Sequence, residues 1–140
     1  MVISVSTYYI PPIHINSPPL AFQVTSLIDS YMIWIGIMEG TAENVHAAAS
    51  NGRLAQEWAC AMPSTHSSIP SPGTSLYRAS NADIALPMAQ RLARRFKIQV
   101  FLSIDLPPAF TTMGENVRLT LEVEKRAIEI LKSLESNGLT

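Results

Sequence analysis

An α+β fold, a mostly antiparallel sheet of about six strands with two helices packed on it, is the class that this sequence predicts. Three observations carry the prediction. Apolar residues run in strand-like stretches, several alternating with polar ones, through most of the first hundred positions. The period turns helical near Ser80, and after one further strand a long amphipathic stretch closes the sequence.

Val2–Tyr9 is rich in β-branched and aromatic residues and reads as a strand. Pro11-Pro12 and Pro18-Pro19 bound a short extended piece around Ile13-His14-Ile15, and prolines confine such pieces to edges or strand starts. Leu20, Phe22, Val24 and Ser26 alternate with Ala21, Gln23 and Thr25, a half-buried strand whose even positions face the core. Asp29-Ser30 suits a turn. Tyr31–Ile37 is apolar on both faces, which predicts a central strand covered on two sides. Residues 38–53, with Gly40, Asn44 and Asn51-Gly52, read as a loop holding at most one weak helical turn over Ala42–Ala49. Leu54–Met62 alternates Leu54, Trp58, Cys60 and Met62 against Ala55, Glu57 and Ala59, a strand; Thr74–Arg78 is a shorter one.

Ser80 with Asp83 three residues on resembles a capping box, whereas Pro87 suits the first turn of a helix. Two starts therefore stay open, giving a helix over 81–96 or over 87–96. Met88, Leu92 and Phe96 form its apolar stripe with Ala85, Ala89 and Ala93 beside it, while Arg91, Arg94 and Arg95 lie on another face. Ile98, Val100, Leu102 and Ile104 then alternate with Gln99, Phe101 and Ser103, the cleanest strand pattern, ended by Pro107-Pro108. A helix over 114–136 follows, with Val117, Leu121, Ile128, Leu131 and Leu134 as its expected apolar face and Gly138 just past its end.

At 140 residues the expectation is one domain, 1–140, with a proline-rich N-terminal segment (1–19) and a Ser/Pro loop (63–73). Charged residues make up 15%, against about 25% in ordinary domains. Residues 1–70 hold four acids and one base, and residues 71–140 hold seven acids and nine bases, for a total of −1. Neither half has the clustered basic stripe that nucleic-acid binding needs. The single cysteine, Cys60, has no internal disulfide partner, which fits a reducing compartment. The N-terminus lacks the basic region of a signal peptide, and the most apolar window, Tyr31–Met38, falls short of the roughly 18–20 residues of a membrane helix. A soluble protein, cytoplasmic and also nuclear, with no membrane or nucleic-acid partner is expected.

Catalytic chemistry finds little support. His14, His46 and His66 lack metal-ligand spacing, so no metal is expected. Cys60 and His66 could meet across a turn, but the segment around Cys60 offers no positive neighbourhood to lower a thiol pKa. The serines of residues 64–71 read as solvated loop. Glu122, Glu124 and Glu129 alternate with Lys125, Arg126 and Lys132, an ion-paired helix face. Neither an enzyme nor a cofactor is expected. The under-charged first half points instead to a protein–protein interface, with Tyr31, Met32, Trp34, Met38 and Trp58 as candidates. Arg91, Arg94, Arg95 and Lys97 form a basic cluster suited to an acidic protein surface.

Three runs carry a resemblance: Tyr31-Met32-Ile33-Trp34-Ile35-Gly36, then Met88-Ala89-Gln90-Arg91-Leu92-Ala93-Arg94-Arg95, then Ile98-Gln99-Val100-Phe101-Leu102-Ser103. With Thr74-Ser75-Leu76 between them and an amphipathic C-terminal helix, their order and spacing over about residues 20–135 resemble the proteasome assembly chaperone 4 family in its fungal-type form. Pro87, the long 38–53 segment and the proline-rich start depart from the family pattern. The resemblance implies a non-catalytic chaperone on a six-stranded sheet. It would form a heterodimer with assembly chaperone 3 and promote assembly of the 20S proteasome α-ring through α-subunits such as α5. Arg91, Arg94 and Arg95 carry over as partner contacts, and Tyr31 and Trp34 join them as apolar candidates. A structural adaptor subunit of another heteromeric complex is the alternative.

Overall fold

The computed structural model describes residues 3–12, 18–38, 42–52, 56–66, 68–78, 83–106 and 116–138. Its strands are β1 (Ser4–Ile10), β2 (Leu20–Leu27), β3 (Ser30–Ile37), β4 (Trp58–Ala61), β5 (Gly73–Tyr77) and β6 (Gln99–Asp105). They form one sheet in the order β1-β2-β3-β6-β4-β5. Helices α1 (Ala85–Phe96) and α2 (Asn116–Gly138) flank β6 in sequence. The fold is α+β and the sheet mostly antiparallel, as expected. Among the described residues only the pairing of β3 with β6 is parallel. A parallel pair needs a crossover, and the stretch holding β4, β5 and α1 supplies it.

Pairing assigns every strand residue to a face. Phe22 lies opposite Ile35, Val24 opposite Ile33, and Ile33 beside Leu102, so these side chains share one side of the sheet. With Leu20, Val100 and Ile104 they are fully buried against Met88 and Leu92 of α1 and Val123 and Leu131 of α2. The even positions of β2 face this core as the alternation predicts. The turn before β3 comes one residue early, at Ile28-Asp29, and Asp29 takes a left-handed φ of 52°, a conformation that aspartate tolerates better than most residues.

Two local expectations change, and β4 takes a core face that its alternation left open. In β4 the core-facing residues are Ala59 and Ala61, while Trp58 and Cys60 face the other way. Small residues belong there because α1 lies directly over β4 and β6 and brings Ala85, Ala89 and Ala93 with it. In α2 the buried line is Leu119, Val123, Ala127, Ile130 and Leu131, and Leu121 is 61% exposed. Leu121 falls two residues before Val123, about 200° around the helix, so it points to solvent. Ser71, expected in a solvated loop, is buried. The strand end at Leu54 and the features at Val2, Ile13–Ile15, Gly40, Ser80, Pro107-Pro108 and Gly114 lie outside the described residues.

The expected weak helical turn after β3 is a pair of 3-10 turns, Ala42–Ala47 and Ala49–Asn51. They cover part of the sheet's other face, where Ala21, Trp34 and Met38 form a second small core with Tyr9, Val45, Ala48 and Ala49.

Candidate protein–protein interface

The face turned away from the helices is divided in two. One part is closed by the 3-10 turns. There the Trp34 ring lies against both Gly36 and Gly52, so tightly that a β-carbon on either glycine would collide with the indole. Gly36, two residues on and on the same face, leaves room for the ring, and Gly52 does so from the covering segment. Thr7 Oγ1 and His46 Nδ1, 2.7 Å apart, tie β1 to the first 3-10 turn.

The other part is open. Phe101 of β6 pairs with Met32 of β3 on one side and Cys60 of β4 on the other, which makes a continuous apolar row. Trp58 extends it along β4, and all four side chains are half-buried. Met62 (52% exposed) and Tyr77 (54% exposed) border the row. Thr25 and Gln99 supply its polar groups, and Gln99 Nε2 donates to Cys60 Sγ at 3.4 Å. The Trp58 indole N–H is buried without an acceptor among the described residues. None of these residues is charged. An uncharged patch of aromatic and methionine side chains is the composition of an interface core rather than of ordinary surface.

The sequence candidates are therefore spread over both sides of the sheet. Met32 and Trp58 lie in the open patch. Trp34 and Met38 are buried under the 3-10 turns. Tyr31 faces the helices, where burial and then the charge of Glu135 raise its pKa above 10.0. Phe101 escaped the sequence reading because it occupies the outward phase of a strand whose other phase is so clearly core; a large aromatic between Gln99 and Ser103 was the available signal.

Helix α1 presents its arginines on the opposite side of the sheet from this patch. Its start is not capped by its own sequence, since the residue before it, Ile84, has no capping side chain. Instead the buried Glu57, just before β4, accepts from Ile84 N–H at 2.5 Å and Ala85 N–H at 2.8 Å. A carboxylate there satisfies orphan donors and complements the helix dipole. Arg91 reaches across to Glu124 of α2 at 2.6 Å, and Arg94 and Arg95 are exposed. Among the described residues no cluster of three or more His, Cys, Asp or Glu side chains could hold a metal ion.

The sequence matches the family model for proteasome assembly chaperone 4 over residues 19–106, the span from the start of β2 to the end of β6. No curated protein matches it. Among solved structures, a chain from a chaperone complex for yeast 20S proteasome assembly superposes with a TM-score of 0.69. The likeness covers 95% of this chain and 98% of that one at 18% identity, which establishes the shared fold.

Proposed function

This chain belongs to the proteasome assembly chaperone 4 family, and from that premise we propose that it is a non-catalytic chaperone of 20S proteasome assembly that works as a heterodimer with assembly chaperone 3. The observation that carries the pairing is the open, uncharged patch of Met32, Trp58, Cys60 and Phe101. A second sheet laid on this patch would bury it as the helices bury the other face. The helix side, with Arg91, Arg94 and Arg95, then stays available for the α-subunits of the assembling ring, α5 being the first to test. Cytoplasm and nucleus are its places of action in this reading.

Co-expression with the chaperone 3 homologue, followed by light-scattering chromatography with and without individual α-subunits, tests it. A 1:1 complex that captures an α-subunit and is lost in Phe101→Glu is the expected result. A stable lone monomer that ignores both partners overturns the proposal. A heterodimer that binds no α-subunit points to the adaptor role in another complex.

A further inference from the structure

Ser71, in the segment between β4 and β5, is 4% exposed, although its chain neighbours Ile69, Pro70, Pro72 and Gly73 are all exposed. Its main-chain carbonyl accepts from Gln90 Nε2 of α1 at 2.9 Å. The next carbonyl, that of Pro72, accepts from Met62 N–H at 2.8 Å. Main-chain groups thus staple the end of this segment to the body of the fold. The Ser71 hydroxyl takes no part: its oxygen is buried and has no hydrogen-bond partner among the described residues. Burying an unpaired hydroxyl costs free energy that an alanine would not. The fold explains a small residue at 71, but not a serine.

The residue that follows gives the hydroxyl a use. Proline directly after the acceptor is what proline-directed serine/threonine kinases select, since its fixed φ and missing N–H set it apart from every other residue. Pro72 is exposed, so the recognition element stands at the surface while the reacting group is turned inward. The chain holds a second Ser-Pro pair, Ser17-Pro18, in which Ser17 lies outside the described residues.

We propose that Ser71 is a phosphorylation site for a proline-directed kinase, and that its phosphate unlatches the segment between β4 and β5 from α1. In the transfer, Ser71 Oγ attacks the γ-phosphorus of ATP held by the kinase. The new O–P bond forms as the bond to ADP breaks, and the hydroxyl proton passes to the kinase's base. Access requires the bonds to Gln90 and Met62 to open, a local event in a segment that is mostly at the surface. Once attached, the phosphate carries about −1.5 to −2 charges at neutral pH and disrupts a buried site by its desolvation cost. The side chain that holds Ser71 is the neutral amide of Gln90, and the space nearby is tight: a β-carbon at Gly73 would crowd Leu86 and the Cys60 carbonyl. The modified segment therefore stays out. Met62 borders the open patch, so unlatching alters the rim of the surface assigned above to a partner; the site itself does not depend on that assignment.

The test incubates the purified full chain with ATP and a cyclin-dependent or a mitogen-activated kinase, locates phosphate by mass spectrometry and follows amide hydrogen exchange. Phosphate is expected on Ser71, lost in Ser71→Ala and in Pro72→Ala, which keeps the carbonyl that Met62 uses. Ser71→Ala leaves Tm unchanged or higher. In the phosphorylated chain and in Ser71→Glu, the Met62 amide exchanges at least about tenfold faster, while the Leu102 amide in the core is unchanged. Three results overturn the proposal. One is no phosphate on Ser71 from either kinase under conditions that fully modify a synthetic peptide of residues 66–76, phosphate on Ser17 alone included. Another is phosphate on Ser71 with Met62 exchange unaltered, which removes the unlatching. The third is a lower Tm in Ser71→Ala, which gives the hydroxyl a structural role.

Discussion

Trp34 owes its position to what its neighbours lack. Gly36 on its own strand and Gly52 on the covering segment leave the space that the indole fills. Alanine at Gly36 forces the ring or the strand to move, and overpacking of this kind costs about 1–3 kcal/mol. Urea unfolding of Gly36→Ala should show that loss with an unchanged m-value. Tyr31 offers a pH-dependent counterpart. Its pKa is raised, by burial first and Glu135 second, so the folded state holds the phenolic proton more tightly than the unfolded state does. The resulting stability is fully present below the unfolded pKa of about 10 and is lost as pH rises through the higher folded value. Tyr31→Phe should therefore lose less stability than the unsubstituted protein between about pH 8 and about pH 11, as read from urea midpoints. An equal loss in both would remove Tyr31 from the alkaline response.

At the scale of elements, the start of α1 is the place where local sequence misleads most. Ser80 and Asp83 offer a capping pattern, and Pro87 offers a first turn, yet the helix begins at Ala85 under a carboxylate from 28 residues earlier. Glu57→Ala leaves two backbone donors without their partner, at a cost of about 1–3 kcal/mol. Glu57→Gln keeps an acceptor oxygen but loses the charge at the dipole, worth about 0.3–1 kcal/mol. Thermal unfolding of the two variants should rank them in that order, with slower-exchanging amides at Ala85 in Gln than in Ala. Reversal of the order would mean that the carboxylate's charge is a burden rather than a support. The strands were more legible than this helix start. Alternation placed the core face of β2 and β6 correctly because a period of two leaves only one choice of face. For β4 the alternation named no core face; there the larger side chains turn away from the core and the alanines turn toward it. Hydrophobicity ranks Trp58 and Cys60 above Ala59, but a helix packed close overhead accepts only the small residue.

The whole molecule is asymmetric across its sheet. One side is sealed by two helices; among the described residues the other is sealed only where the 3-10 turns reach, and the rest presents an uncharged apolar row. Such a surface disfavours an isolated monomer in water. Alone and at high concentration the chain should self-associate, and Phe101→Glu should shift it to monomer in sedimentation velocity without lowering Tm, since Phe101 lies outside both buried clusters. Persistence of the oligomer in that variant would move the contact elsewhere, with the apolar residues at the two edge strands, Val5 and Leu76, next in line.

By itself the sequence determined the α+β class, an order of five or six strands, a helix, a strand and a helix (five before the first helix in the structure), and the core phase of the strongly alternating strands. These follow from local periodicity, which a chain carries wherever it is placed. The family was legible for the same reason: its motifs are runs of adjacent residues. Only the tertiary structure decided which candidates share a surface. Tyr31, Met32 and Trp34 are near neighbours in the chain, yet one lies under the helices, one in the open patch and one beneath the 3-10 turns. It also decided that Glu57 starts α1 and that Arg91 is bound to Glu124. Each of these depends on a partner 27 or more residues away, and no local pattern records that distance.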